Sequence, residues 1–199
     1  IWKVLRIIYV IILIIFLGFI VAGFYRFADY SKTQQAVDFI NSKKITLFDV
    51  FGNNLPPKPD QTLNDSTIAG IDANNNFIRD DVELAIFEKY PNSAKIRAVE
   101  LQYAIELQNE LTSIFNNNTW IAVAKNENNG ISCIVDLSFD NYKDIISQID
   151  KSKEWQKEVE NLVFSTDLRI NKRREIKKYE TSYVVGDGEC DIELSSLPN

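Results

Sequence analysis

Ile71-Asp72-Ala73-Asn74-Asn75-Asn76-Phe77-Ile78-Arg79-Asp80-Asp81-Val82-Glu83 is the stretch on which the reading of this chain turns. Consecutive asparagines tolerate tight and left-handed backbone turns and are poor residues for a helix interior. Asp80, Asp81 and Glu83 have the opposite character. Acidic side chains in a first helical turn complement the partial positive charge of a helix N-terminus. The stretch is therefore a turn that opens a helix. Upstream of it the sequence reads as membrane segment and linker; downstream it reads as helices.

Working toward the C-terminus, Asp81 to Tyr90 forms a helix with Val82, Ala85 and Ile86 on one side, ended by Pro91. Asn92 or Ser93 caps a longer helix to about Phe115. Its apolar stripe is Ile96, Val99, Leu101, Tyr103, Ala104, Leu107, Leu111 and Ile114. Asn116-Asn117-Asn118 breaks it. Thr119 caps a short helix from Trp120 to Lys125, and Asn128-Asn129-Gly130 ends that. Ile131 to Leu137 has strand-like content and could equally open a helix. Tyr142 to Ile149 and Glu154 to Phe164 read as helices, and Ser165 opens a last one to about Tyr183. The tail, with Gly186, Gly188 and Pro198, reads as irregular. The fold class is mostly α, an irregular bundle of about four to six helices.

Toward the N-terminus, Ile7 to Tyr25 runs nineteen residues without a charge. As a helix this spans roughly 28 Å, close to the hydrocarbon thickness of a bilayer. Trp2, Tyr9, Phe24 and Tyr25 lie near its ends, where aromatic rings favour the interface. The expectation is an uncleaved signal-anchor helix over residues 1–30, crossing the bilayer through residues 7–25. A cleaved signal peptide competes, but its apolar core is usually shorter and is followed by a small-residue cleavage site. Lys3 and Arg6 before the span balance Arg26 and Lys32 after it, so the basic residues do not set orientation. Ser31 can cap a helical continuation with Ala36, Val37, Phe39 and Ile40 as its stripe. Pro56, Pro57 and Pro59 resist helix, so residues 31–66 read as helical extension and proline-rich linker. Residues 67–199 then form the helical domain.

Composition removes several functions. The formal net charge is −6, so no global field draws the chain to nucleic acid. There is no His, which excludes His-based nucleophile pairs and most zinc and iron designs. Cys133 and Cys190 lack the C-x-x-C spacing of redox pairs. They are expected as a disulfide that ties the tail to the bundle, which suits an oxidising compartment.

The turn that opened this reading carries the chemistry. Calcium takes six to eight hard oxygens from a tightly turning chain. Oxygen-bearing positions alternate here: Asp72, Asn74 and Asn76, then the Ile78 carbonyl, then Asp80, with Glu83 as the closing bidentate carboxylate. This resembles the EF-hand loop, and also loops in exported bacterial helical proteins in which a D-x-N-x-N-G-V-R-D-D-V-E run opens a helix. The resemblance covers the loop and the helix after it. It implies a structural calcium ion held by Asp72, Asn74, Asn76, Ile78, Asp80 and Glu83. Two departures stand out. Phe77 occupies the position that is normally Gly, where a positive φ is needed, and Asn75 is the neighbour better suited to absorb the turn. No full entering helix precedes the loop.

Two charged groups admit other roles. Arg169, Lys172, Arg173, Arg174, Lys177 and Lys178 read as a solvated helix face with Ile170, Ile176 and Tyr179 inward, or as a patch for an anionic partner. Asp136, Asp140 and Asp144 recur at helical spacing and read as a charged surface with Asp140 as a helix cap, or as a second cation site or the paired carboxylates of an envelope hydrolase. The preferred expectation is non-enzymatic. The chain reads as a single-pass protein of a bacterial inner membrane, with its C-terminal domain in the periplasm. Its role would be that of an interaction or scaffold protein with a protein partner in the envelope, in one version an immunity or inhibitor protein.

Overall fold

The computed structural model describes residues 2–139 and 144–198, except the side chain of Val4. Among them are eight α-helices and no strand, with about 70% of the chain helical. The helices are α1 (Trp2–Ser42), α2 (Leu47–Val50), α3 (Gln61–Asp65), α4 (Asp80–Lys89), α5 (Ala94–Thr112), α6 (Asn117–Ser138), α7 (Ile145–Val163) and α8 (Asp167–Ile176). The chain divides into two units, Ile1–Asp38 and Phe39–Asn199.

The first unit is helix throughout its described length. No Gly or Pro interrupts residues 24–42, so α1 passes Ser31 without the new cap expected there. An 18-residue window within Leu5–Ser42 has a mean hydropathy of 3.1 and buries nothing inside the molecule. This helix is long and apolar enough to cross a membrane.

The second unit begins at Phe39, earlier than residue 67, where the helical domain is expected to start. Ile40, Ile45 and Val50 are buried in it, so part of the stretch read as extension and linker belongs to the domain. Helix α5 is its axis. Ser93 caps α5 by accepting from the Ile96 N–H, and α2, α4, α6, α7 and α8 all pack on it. Val99 to Leu111 of the apolar stripe read from sequence lie in the core with Val82 and Ile86 of α4, Ile134 of α6, and Val159 and Val163 of α7, and Ile96 is half-buried against them. Surrounded in this way, α5 also buries Glu100, Gln102, Glu106 and Asn109, which an amphipathic reading assigns to solvent.

Two expected breaks are absent. Asn128-Asn129-Gly130 does not end α6, because Gly130 is where α6 crosses α5. A Cβ there would lie 3.2 Å from the Tyr103 Cα. Asn116, not Thr119, is the cap of α6; Thr119 sits three residues on and returns the bond in a capping box. Helix α7 is likewise continuous, with Ser152, Trp155, Val159 and Val163 buried at helical spacing. Tyr142, expected to begin a helix here, lies outside the described residues.

Three buried arginines fasten the ends of these helices. Arg97 of α5 donates to the carbonyls of Val50, Tyr90 and Pro91, at the ends of α2 and α4. Arg79 donates to Leu162 O at 2.6 Å and Val163 O at 3.0 Å, the last carbonyls of α7. Arg169 of α8 donates to the carbonyls of Asn64, Thr67 and Ile68 and pairs with Asp65 at 3.0 Å. A guanidinium suits a helix C-terminus because carbonyls there lack intrahelical partners and carry partial negative charge. The basic helix is therefore not a uniformly solvated face. Arg169 points inward, and Arg173 is half-buried between Glu110 and Glu160, at 3.2 Å from each.

Cys133 and Cys190 form a disulfide across 57 residues. The tail it secures is irregular, as expected, yet docked. The Asp191 N–H donates to Gln102 Oε1, Gln102 Nε2 donates to Glu189 O, and Leu197 joins the core.

Candidate metal centre

Residues 66–79 connect α3 to α4, so only a five-residue helix stands where a full entering helix would be. Two features shape the connection. Gly70 has φ +70°, and a Cβ there would collide with the aliphatic stem of Arg79 and meet Asn64 Oδ1 at 2.7 Å. Only glycine fits both constraints. The Asp80 N–H then donates to Ile71 O at 2.8 Å, closing the loop at the start of α4.

Within the loop, Asp72 receives the Asn76 N–H at 3.1 Å on one oxygen and the Phe77 N–H at 2.9 Å on the other. Asn76 Oδ1 receives the Ile78 N–H at 3.0 Å, and Asp80 Oδ1 receives the Ala73 N–H at 2.9 Å. These bonds pull the backbone into two left-handed residues, Asn75 at φ +58° and Phe77 at φ +71°. Asn75 does not absorb the turn alone. Left-handed geometry at a non-Gly residue costs on the order of 1–2 kcal/mol. The Phe77 ring has offsetting contacts. It packs edge-on to Phe39 at 5.7 Å, and the Lys43 ammonium lies 4.9 Å from its centroid. Such contacts contribute about 0.5–1.5 kcal/mol each.

The electrostatics of the loop are lopsided. Asp80 and Glu83 are each 1% exposed. Asp80 Oδ2 and Asn74 Oδ1 are buried without a hydrogen-bond partner. Burial, the largest influence, together with nearby Asp72 and Asp81, pushes the Asp80 carboxyl up. Burial pushes Glu83 up to about 7, against the pull of the Asn74 and Asn76 amides. The adjacent arginine does not relieve this charge. Arg79 spends its donors on Asp81, Ser165 and the end of α7. The basic group near the loop is Lys43, which donates to Asn109 at 2.7 Å and feels Glu106 and Asp72. Its burial outweighs both and lowers its pKa.

The donor set suits a hard cation. Asp72, Asn74, Asn76, Asp80 and Glu83 bring carboxylate and amide oxygens to one turn. The Ile78 side chain is buried, leaving its carbonyl as the group it can offer. The oxygens are of the type calcium prefers. Among the described residues, no three His, Cys, Asp or Glu side chains converge tightly enough to hold a metal by themselves. Any ion here would depend on the amide and carbonyl oxygens as well. Asn74 connects the loop outward, since its Nδ2 donates to Glu83 Oε2 at 2.9 Å and to Asn54 O at 2.8 Å.

The carboxylates considered for hydrolysis do not form one helical face. Asp136 is in α6, Asp144 caps α7 by accepting from the Ser147 N–H, and Asp140 lies outside the described residues. A different pair shares a cleft. Glu110 of α5 and Glu127 of α6 line a space of about 500 Å³, together with Trp120 and Arg173. Burial raises both carboxyls, Glu110 to about 7 despite its ion pair with Arg173. Sequence reasoning missed this pair because Glu110 and Glu127 are far apart in the chain and carry no motif.

No protein-family model, curated protein or solved structure matches the chain.

Proposed function

We propose that this chain is anchored in a bacterial inner membrane, with its helical domain in the periplasm braced by a structural calcium ion. In this reading it acts by binding a protein partner in the envelope, as an immunity or inhibitor protein would. The long apolar helix and the disulfide support the placement. The observation that carries the calcium reading is the buried Asp80–Glu83 pair, with Asp80 Oδ2 and Asn74 Oδ1 unpaired beside it. Buried carboxylates without a counter-charge are destabilising, and a divalent cation offsets them.

The test is thermal melting of the full chain in detergent micelles with 1 mM calcium or with chelator. A site of roughly 0.1 mM affinity contributes about 1.4 kcal/mol at that concentration, or about 4 °C in a domain of this size. Asp80→Asn abolishes the shift. Equal melting of the native chain in calcium and chelator ends the calcium reading. Partner binding is tested separately, by crosslinking and pull-down from native membranes. The partner assignment fails if no envelope protein is retained above an unrelated anchored domain.

The cleft between α5 and α6 favours a second reading, an envelope hydrolase. Two carboxyls raised by burial in one cleft are a combination that acid-base chemistry uses. Release of reducing sugars from peptidoglycan, lost in both Glu110→Gln and Glu127→Gln, would support it. The absence of any turnover ends it.

A further inference from the structure

The position where the loop pattern has glycine carries Phe77, whose ring reaches a different part of the domain. We propose that Phe77 turns the cation loop into a clamp on the last turn of α1, Phe39–Ser42, and on the segment after it. This rests on the calcium reading above.

Asp72 is the origin of the linkage. Its carboxylate takes the N–H groups of Asn76 and Phe77, fixing Phe77 at φ +71°. In that conformation the ring leaves the loop and meets Phe39 edge-on, with centroids 5.7 Å apart and planes at 88°. The Lys43 ammonium sits 4.4 Å from the Phe39 ring and 4.9 Å from that of Phe77. Lys43 is 8% exposed, and its other close partner is Asn109 Oδ1 on α5. Ile40 and Ile45, on either side of this lysine, are 0% and 4% exposed. A second strut is reciprocal: Asn74 Nδ2 donates to Asn54 O, and Asn54 Nδ2 donates back to Asn74 O at 3.5 Å.

Glycine would close the same loop without strain, but it would leave Phe39 and Lys43 without the second ring. Without a cation, the carboxylates of Asp72, Asp80 and Glu83 repel one another and the loop loosens. Phe77 then relaxes from the left-handed region and its ring withdraws. The order of residues 39–45 therefore follows the occupancy of the loop.

The experiment is hydrogen exchange by mass spectrometry on the full chain in micelles, in 2 mM calcium chloride or EGTA. Calorimetric titration with calcium chloride accompanies it. In the native chain, calcium slows exchange of residues 39–45 about tenfold. In Phe77→Gly, calcium still binds and still protects residues 72–83, but the effect on 39–45 falls below twofold. Phe39→Leu, which keeps the helix and removes the ring, gives the same loss. Full calcium-dependent protection of 39–45 in Phe77→Gly overturns the clamp. So does calcium binding to the native chain without protection there; in both cases the calcium reading stands. Absence of heat and of protection in the native chain overturns both.

Discussion

Replacing Glu100 by Gln makes the domain more stable at high pH and leaves it unchanged at low pH. Glu100 lies in the middle of α5 and is 0% exposed. Neither carboxylate oxygen has a well-formed hydrogen bond, although the Tyr90 hydroxyl is close. Burial first, and the Glu158 charge second, push its carboxyl from 4.5 up to about 8, with Lys89 and Tyr90 opposing. The folded state thus holds a proton that the unfolded chain releases above pH 4.5. Stability falls as pH rises between those two values, by at most ~1.4 kcal/mol per pH unit. The ceiling is about 5 kcal/mol, and relaxation around the charged form brings the expected loss to about 2–3 kcal/mol. Gln keeps the shape and has no proton to lose. Urea unfolding of both chains in micelles with EGTA, at pH 4.5, 6.5 and 8.5, measures the difference. Glu83 and Glu106 titrate in both chains and cancel. The two should agree within about 0.5 kcal/mol at pH 4.5, with the variant ahead by about 2–3 kcal/mol at pH 8.5. A difference that does not change with pH, or native stability equal to the variant's at pH 8.5, refutes the reasoning.

Arg79→Leu leaves Asp81 and the last carbonyls of α7 without their guanidinium. Asp81 keeps 21% of its side-chain surface exposed, so the cost falls mainly on the two carbonyls. A buried acceptor left unpaired costs about 1–3 kcal/mol, and thermal melting of the full chain will register the sum, about 2–6 kcal/mol, as a drop of about 4–24 °C. Replacing Cys133 and Cys190 together by Ala releases a closure of 57 residues. The chain-entropy relation gives a loss of about 4 kcal/mol, read by urea unfolding, and amide exchange at Asp191 should accelerate.

The features legible in the sequence are those that depend on neighbours along the chain. An uninterrupted apolar run needs no partner to declare a helix that can cross a membrane. A cap at Asn92 or Ser93, Pro91 as a stop and the stripe from Ile96 to Ile114 follow from local hydrogen bonding and helical periodicity; α4 and α5 form there, with Ser93 the cap and α5 ending at Thr112, three residues short of Phe115. The disulfide followed from there being two cysteines and an irregular tail to secure.

Tertiary structure decided whatever required knowing what packs on what. Asn128-Asn129-Gly130 has the composition of a helix end, yet α6 continues because a side-chain-free position is needed against Tyr103. Glu100 and Glu106 look like solvent positions until five other helices enclose α5. Arg79, Arg97 and Arg169 gave no local sign of burial, since each also reaches carbonyls on a segment distant in the chain, at Leu162, Val50 and Asn64 respectively. The loop from Asp72 to Glu83 sits between the two cases. Its oxygen spacing was written in the sequence, whereas the reason Phe77 can occupy a left-handed turn was not. That reason is Phe39 and Lys43, more than thirty residues away, which the fold alone brings to its ring.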